Sequence, residues 1–145
     1  MCDEQCLKIA ESAFRRISER LPSLRMERDD SVPVELSFDI PTQPGLRWAV
    51  NLNLQNRDEL HFSVGNFWLA WFPCTDEAIT EAYVDAVSGF LAGRYRVLEH
   101  YRGGKCVKAE LQAPGAAGDW QTIGYNSSKW WWFPGRKRFV ELINI

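Results

Sequence analysis

The sequence is poor in the residues that build metal and disulfide sites. Its four cysteines stand at positions 2, 6, 74 and 106, and only the first two share a helical spacing. This arrangement fits neither a paired zinc site nor a disulfide framework, so we expect reduced thiols and no metal site. There are two histidines, and a metal-spaced histidine pair, a Gly-rich phosphate loop and a strained nucleophile turn are all missing. We therefore predict no cofactor and no catalytic residues, and an enzyme is the less favoured class.

Long apolar runs and an excess of positive charge are also missing. The longest apolar run, residues 67–74, falls far short of the roughly 18 residues that a membrane span needs. The first residues, MCDEQCLKIAE, lack the basic and then apolar regions of a signal peptide, so we expect a cytoplasmic protein with no membrane span. The net charge of −2 gives no overall positive field to hold a polyanion, which argues against nucleic-acid binding.

The composition that remains is that of an ordinary folded domain. Hydrophobic residues make up 46% of the chain and charged residues 25%, and there is no low-complexity tract. A globule of 145 residues can bury roughly 68 to 70% of the surface that its unfolded chain exposes. We therefore expect residues 1–145 to form a single domain with one hydrophobic core.

Two amphipathic helices are predicted from the spacing of apolar residues. In residues 3–21 apolar side chains recur at steps of three and four, and Pro22 closes the segment. A second helix is predicted after Pro73, with Thr75 as its N-terminal cap and acidic residues in its first turn. Gly93 is a suitable stop for this second helix.

Strands in the first half are predicted from strict alternation of apolar and polar residues. Segments 34–40, 48–54 and 60–64 each alternate, which indicates a three-stranded antiparallel meander with one apolar and one polar face. A polar connector, 23–31, precedes them. Segment 67–72 is apolar throughout and has no readable period, so it fits either a buried strand or a helical turn.

The second half is predicted to be all strand after the second helix. Two alternating segments surround Gly103 and Gly104, a hairpin signal because both glycines accept positive φ, and Glu110 and Gln112 of this hairpin are expected to face outward. Further strands are predicted at 120–125, 130–133 and 139–145. The chain is thus an α+β domain of order α-βββ-α-βββββ, with about seven to eight antiparallel strands in one or two sheets packed by two amphipathic helices.

The stretch SSKWWWFPGRKRF, residues 127–139, is the sharpest functional clue. In an extended strand its aromatic residues point alternately to both faces, and the last strand is likewise apolar on both faces. One interpretation is a central hairpin that is covered on both sides. The other is an open aromatic face with a basic rim that binds a partner. The residues of this predicted binding patch are Trp130, Trp131, Trp132, Phe133, Arg136, Lys137 and Arg138.

The function predicted from this patch is a small non-enzymatic protein-binding module of the immunity-protein or chaperone and adaptor type, with a protein partner or self-association. The alternative is a small enzyme or ligand-binding domain that uses the polar sheet face around Asp39, His61 and Ser63, which alternation places on one side. His61 and Ser63 lie two apart on one strand, roughly 6.6 to 6.8 Å between α-carbons, whereas a nucleophile and its base must approach to about 2.6 to 3.2 Å. The binding module is therefore the preferred prediction.

Overall fold

The structure is a computed structural model that describes residues 3–129, 132 and 134–144. It contains two helices, α1 (Asp3–Arg20) and α2 (Glu77–Leu91), and two antiparallel sheets. The strands are β1 (Glu27–Arg28), β2 (Leu36–Ile40), β3 (Val50–Gln55), β4 (Glu59–Val64), β5 (Phe67–Trp71), β6 (Arg96–Arg102), β7 (Lys105–Pro114), β8 (Trp120–Ser127) and β9 (Lys137–Leu142). Neither of the two described helices is long and apolar enough to cross a membrane.

Both helices form where the sequence predicts them, with one difference at the start of α2. In α1 the periodic apolar residues, such as Phe14 and Ile17, are almost fully buried. The N-terminal cap of α2 is Asp76 rather than the predicted Thr75, and its carboxylate accepts the N–H of Ala78 at 2.9 Å. A carboxylate at this position also faces the positive end of the helix dipole, which favours aspartate as the cap.

The first sheet extends the predicted meander at both edges. Its strand order is β1-β2-β3-β4-β5, and every neighbouring pair is antiparallel. The apolar segment 67–72 provides β5, which pairs with β4, so the helical turn is excluded there. The predicted connector 23–31 contains the short edge strand β1, whose two charged and exposed residues give no apolar alternation that could reveal it.

The apolar face of the first sheet and both helices build most of the core. Leu52 and Phe62, at the centres of β3 and β4, are fully buried. Helix α1 packs over β2 and β3, while α2 packs over β4 and β5 and also contacts α1. Tyr83 of α2 donates its hydroxyl to the backbone oxygen of His61 at 2.8 Å. The opposite face of this sheet carries the polar residues that the alternation predicts.

The second sheet has the strand order β8-β7-β6-β9 and is antiparallel throughout. The predicted hairpin joins β6 to β7 at Gly103 and Gly104, whose φ angles are 57° and 87°. One face of this sheet carries Val97, Leu111 and Leu142, which belong to the same core cluster as the buried residues of the first sheet. The hydrophobic core therefore runs continuously beneath both sheets.

The two sheets meet where β5 lies beside β8. Asn126 of β8 accepts the backbone N–H of Trp68 at 3.0 Å through Oδ1 and donates to the backbone oxygen of Asn66 at 3.3 Å through Nδ2. Gly124 lies against Leu69, and a Cβ at this glycine would overlap the leucine side chain. The edge of β5 is thus hydrogen-bonded by a side chain instead of a further strand.

The predicted α+β class is confirmed, whereas the strand arrangement differs from the prediction. The strands are divided between sheets of five and four, and five strands rather than three precede α2. Both helices pack on the first sheet. In the predicted aromatic strand, Trp132 lies in a turn, and Trp130, Trp131 and Phe133 lie outside the described residues. The last strand starts earlier and ends earlier than predicted, at Lys137–Leu142.

Candidate functional site

One face of the second sheet points away from the core. The cross-strand register places Phe139 beside His100 and His100 beside Lys108. Farther along β7, Glu110 stands beside Tyr125 of β8. Side chains that stand opposite each other on neighbouring strands share a face, and residues two apart on one strand do so as well. These residues therefore define a single surface, which we call the outer face.

Two aromatic rings of the outer face are open to solvent. Phe139 is 58% exposed and Tyr125 is 55% exposed. The ring of His100 packs edge-on against Phe139 at 5.0 Å between centroids, and the Nζ atom of Lys108 lies 5.0 Å from the centroid of Tyr125. The face of the last strand that carries Phe139 is therefore open among the described residues. Exposed rings beside cations are typical of surfaces that bind partners.

A network of hydrogen bonds fixes the polar side chains of the outer face. His100 Nε2 bonds the Oε2 atom of Glu110, and Thr122 donates to Oε1 of the same carboxylate at 2.7 Å. The ammonium of Lys108 lies 3.8 Å from that oxygen. Burial alone would raise the pKa of Glu110, but the hydrogen bonds from Thr122 and His100, together with the nearby Lys108, lower it below its ordinary value. The network therefore keeps a buried carboxylate charged under the exposed rings.

Replacing Glu110 by glutamine is expected to reduce the loss of unfolding free energy that accompanies a fall in pH in the acid range. Because folding lowers the pKa of Glu110, its contribution is present above the unfolded-state value near 4.5 and is lost as the pH falls through the folded value. The difference in unfolding free energy between wild type and Glu110→Gln should be about 1 to 2 kcal/mol at pH 7 and should shrink below about pH 4.5. Urea denaturation across this range measures it, with the exposed Glu4→Gln as control. An equal pH slope in wild type and Glu110→Gln would contradict the assignment.

Cations gather at the end of the second sheet where β6, β7 and β9 meet. The register places Arg102 beside Lys105 on one side and beside Lys137 on the other. We call this cluster the cationic end, and it consists of Arg102, Lys105, Arg136, Lys137 and Arg138. Within the described part of the chain, Arg102, Arg136, Lys137 and Arg138 form no ion pair. Five of the 17 lysine and arginine residues thus lie together in a chain whose net charge is −2.

The connection between β8 and β9 is fastened to the β6–β7 hairpin near both of its ends. Ser128 donates its backbone N–H to the oxygen of Val107 at 2.8 Å, and Gly103 donates to the oxygen of Arg136 at 3.1 Å. Gly135 has a φ of 135°, and a Cβ on it would stand 2.6 Å from the Cα of Gly103. Glycine at this position lets the two backbones approach closely enough to hold Arg136 beside the hairpin.

A depression of about 230 Å³ lies at the junction of the outer face and the cationic end. It is lined by His100, Tyr101, Arg102, Val107, Lys108, Lys137, Arg138 and Phe139. Its volume is below the roughly 300 to 1,000 Å³ of ordinary ligand and cofactor pockets. The guanidinium of Arg138 lies over the ring of Tyr101, 4.5 Å from its centroid. The depression combines cations with aromatic walls and has room for a side chain rather than for a large cofactor.

The structure places part of the predicted binding patch at this location. Arg136, Lys137 and Arg138 are exposed members of the cationic end, and Trp132 is 56% exposed in the connection that leads to them. The remaining predicted residues, Trp130, Trp131 and Phe133, lie outside the described part of the chain. The sequence prediction missed Arg102, Lys105 and Tyr125, although the cations that flank the two glycines in RGGK are a signal that could have drawn attention to the hairpin end.

Of the three residues of the alternative site, Asp39 and Ser63 line one depression and His61 lies outside it. Asp39 accepts a hydrogen bond from Asn51 at 2.8 Å, while His61 Nε2 lies 2.9 Å from an oxygen of Glu59. A shallow depression of about 380 Å³ is lined by Asp39, Asn51 and Ser63, but His61 is not part of its lining. Ser63 stands beside Asn51 and His61 beside Asn53, so the two residues belong to neighbouring cross-strand rows, as their spacing in the sequence predicts.

A cleft between the two helices is lined mainly by charged and polar side chains. The cleft, of about 880 Å³, lies between the N-terminal parts of α1 and α2, where Arg16 pairs with Glu81 at 2.6 Å. Burial and the neighbouring Cys6 raise the pKa of Cys74, which lines the cleft, to about 12, so its thiolate scarcely forms at neutral pH. Cys74 and Cys106 are reduced thiols. The described residues contain no group of histidine, cysteine and acidic side chains that could hold a metal ion.

A comparison with known proteins finds no matching protein family, no matching curated protein and no matching solved structure. The function is therefore inferred from the residues of the outer face and the cationic end.

Proposed function

We propose that this chain is a non-enzymatic protein-binding module that captures a partner on the outer face and the cationic end of the second sheet. The observation that carries the proposal is the exposed ring of Phe139 at the edge of a depression that also has Lys137, Arg138 and Lys108 in its wall. Exposed aromatic anchors provide large apolar contacts, and a cationic rim adds hydrogen bonds and electrostatic attraction. Immunity proteins and chaperone or adaptor proteins have roles of this kind.

The pattern of charge favours an acidic protein surface as the partner over a nucleic acid. Five cations cluster at the end of the sheet where three strands meet, whereas Lys108 and Arg96, farther along the sheet, lie beside Glu110 and Glu141. The cations that face no carboxylate therefore do not form a track that could follow a phosphate backbone. The net charge of −2 also opposes the approach of a polyanion. A carboxylate of a partner protein would find several cations at this end and an aromatic wall beside them.

Trp132 lies in the connection that leads to the cationic end, and replacing it by alanine is expected to weaken partner binding by about 30-fold, since an exposed aromatic side chain that a partner covers contributes about 2 kcal/mol or more. The partner is first isolated by affinity capture from a lysate of the native host, at low salt and at roughly 0.5 M salt, where exposed electrostatic contacts are largely screened. The captured protein is then titrated against wild type and Trp132→Ala by calorimetry. A partner that is retained at both salt concentrations fits an aromatic anchor with a cationic rim.

Trp68 provides the matched control, because it is a tryptophan of similar exposure, 54%, on the first sheet. Trp68→Ala should leave partner binding unchanged, while circular dichroism verifies that both variants are folded. Binding that survives Trp132→Ala and Phe139→Ala together would overturn the proposal. Nucleic acid retained only at low salt would instead indicate base stacking on the exposed rings.

A further inference from the structure

The two sheets have four edges, and they differ in how far they can accept another strand. Strand β1 is only two residues long, and the edge of β5 is hydrogen-bonded by Asn126. Strand β8 pairs with β7 through a register shift at Leu111 and Gln112, a bulge of the kind that twists an edge away. Strand β9 is six residues long, pairs with β6 without any register shift, and has no second partner among the described strands. It is therefore the regular edge that can accept a strand.

The hydrogen bond at the start of β9 shows which of its backbone groups face outward. Gly103 donates to the oxygen of Arg136, so the backbone of Arg136 points toward the hairpin. Backbone direction alternates along an antiparallel strand. The N–H and C=O groups of Lys137, Phe139 and Glu141 therefore point away from β6, and the register places the side chains of the same three residues on the outer face.

We propose that β9 pairs antiparallel with β9 of a second copy of this chain, in a register centred on Phe139. A two-fold axis perpendicular to the sheet then places Phe139 opposite Phe139 of the second copy, and Lys137 opposite Glu141 of the second copy on both sides. Each of these pairs brings outward N–H and C=O groups face to face, so the pairs exchange backbone hydrogen bonds. The two second sheets join into one continuous sheet across the axis.

The side chains of the outward-facing residues select this register. A cation, an aromatic ring and an anion follow one another at every second residue, so the reversed copy presents the anion opposite the cation. Opposite charges and aromatic pairs across strands are favourable, whereas like charges directly opposite are unfavourable. Shifting to the neighbouring register in one direction places Arg138 opposite Arg138, and in the other direction it places Phe139 opposite Glu141. Both shifts remove the pairing of Lys137 with Glu141.

The described surroundings of Glu141 leave room for a second cation. Arg96 donates to Oε2 of Glu141 at 2.7 Å, and the glutamate side chain remains 45% exposed, so its other oxygen can accept Lys137 of the second copy. On the opposite face of the sheet the same register places Arg138 opposite Val140, which avoids a clash of charge. Thus no like charges stand directly opposite each other on either face of the paired strands.

This inference goes beyond the capture of a foreign partner and does not depend on it, because it uses the edge of β9. Its test is sedimentation equilibrium of the purified full chain from about 5 µM to about 1 mM, the range expected for a small interface between two edges. Wild type should form a dimer in this range. Lys137→Glu and Glu141→Lys should each weaken the dimer by at least about tenfold, since each variant places like charges opposite each other twice.

An equimolar mixture of the two variants makes the test specific. In a mixed dimer the glutamate introduced at position 137 of one variant faces the lysine introduced at position 141 of the other. The native Glu141 likewise faces the native Lys137, so the mixture should regain the affinity of wild type. Carbodiimide cross-linking of ¹⁴N and ¹⁵N wild-type chains should also yield a Lys137 to Glu141 link of mixed isotope composition.

Three results would each overturn the proposal. They are a wild-type chain that stays monomeric at about 1 mM, single variants that dimerise like wild type, and a mixture that is no tighter than its components. Because no partner is present, these outcomes are independent of the capture experiment.

Discussion

Replacing Tyr83 by alanine is expected to lower the free energy of unfolding by about 3 to 5 kcal/mol, the range for truncating a large buried aromatic residue. Tyr83 is completely buried between the helices and the first sheet. Its ring lies 5.4 Å from that of Trp71 and 6.3 Å from that of Phe14, so one side chain joins β5, α1 and α2. Urea denaturation followed by tryptophan fluorescence measures the loss.

The variant Tyr83→Phe separates the ring from the hydroxyl. It keeps the packing and removes only the hydrogen bond to the backbone oxygen of His61, so about 0.5 to 1.5 kcal/mol should be lost. Burial raises the pKa of Tyr83 well above its ordinary value, so wild type gains nothing from ionising this hydroxyl in the folded state. If Tyr83→Ala cost no more than Tyr83→Phe, the ring could not be the contact that joins the two helices to the sheet.

Replacing Gly135 by alanine is expected to release the connection between β8 and β9 from the hairpin and to cost about 2 to 3 kcal/mol. Its φ of 135° is in a region that is essentially limited to glycine, and the new Cβ would stand 2.6 Å from backbone atoms of Gly103. Backbone atoms cannot move aside as the end of a side chain can. The N–H of Gly103, which bonds the oxygen of Arg136, should lose its protection in amide hydrogen exchange.

Gly104 offers the matched control for this variant. It also has a positive φ, 87°, but nothing lies within 4 Å of a Cβ placed on it. Gly104→Ala should therefore show the cost of the backbone conformation alone, about 1 to 2 kcal/mol, with protection of the Gly103 N–H retained. Equal exchange rates at Gly103 in both variants would mean that the close approach of Gly135 does not hold the connection in place.

The fold could be predicted from the sequence wherever apolar residues recur at a regular spacing that matches the buried face of a helix or strand. Strands β3 and β4 were predictable because buried apolar residues alternate with more exposed residues along both of them, as Leu52 does with Asn51 and Asn53 in β3. Such alternation is typical of a half-buried strand. Strand β5 gave no period, since its own residues are apolar throughout. The two sheets meet through the contact of Asn126 with β5, and no local pattern encodes such a contact.

The candidate site was only partly predictable for a similar reason. The basic residues from Arg136 to Arg138 are adjacent in sequence and were recognised as a rim. Arg102 joins them only because β9 returns beside β6, a pairing between distant segments. Glu110 was expected to be a solvated outward residue, yet it is buried because His100 and Thr122 enclose its carboxylate. Hydrogen-bonded burial of an outward polar residue has no signature in an alternation pattern.

The place of β9 in the second sheet also bears on the order in which the sheet folds. Pairing β6 with β7 closes only the short loop between them. Pairing β6 with β9 closes a much longer loop, which contains β7 and β8, and the closure of long loops is slower. The docking of β9 also brings Lys137 against Arg102, so like charges repel each other during the approach. The cationic end is therefore assembled late and against an electrostatic barrier, which dissolved salt lowers.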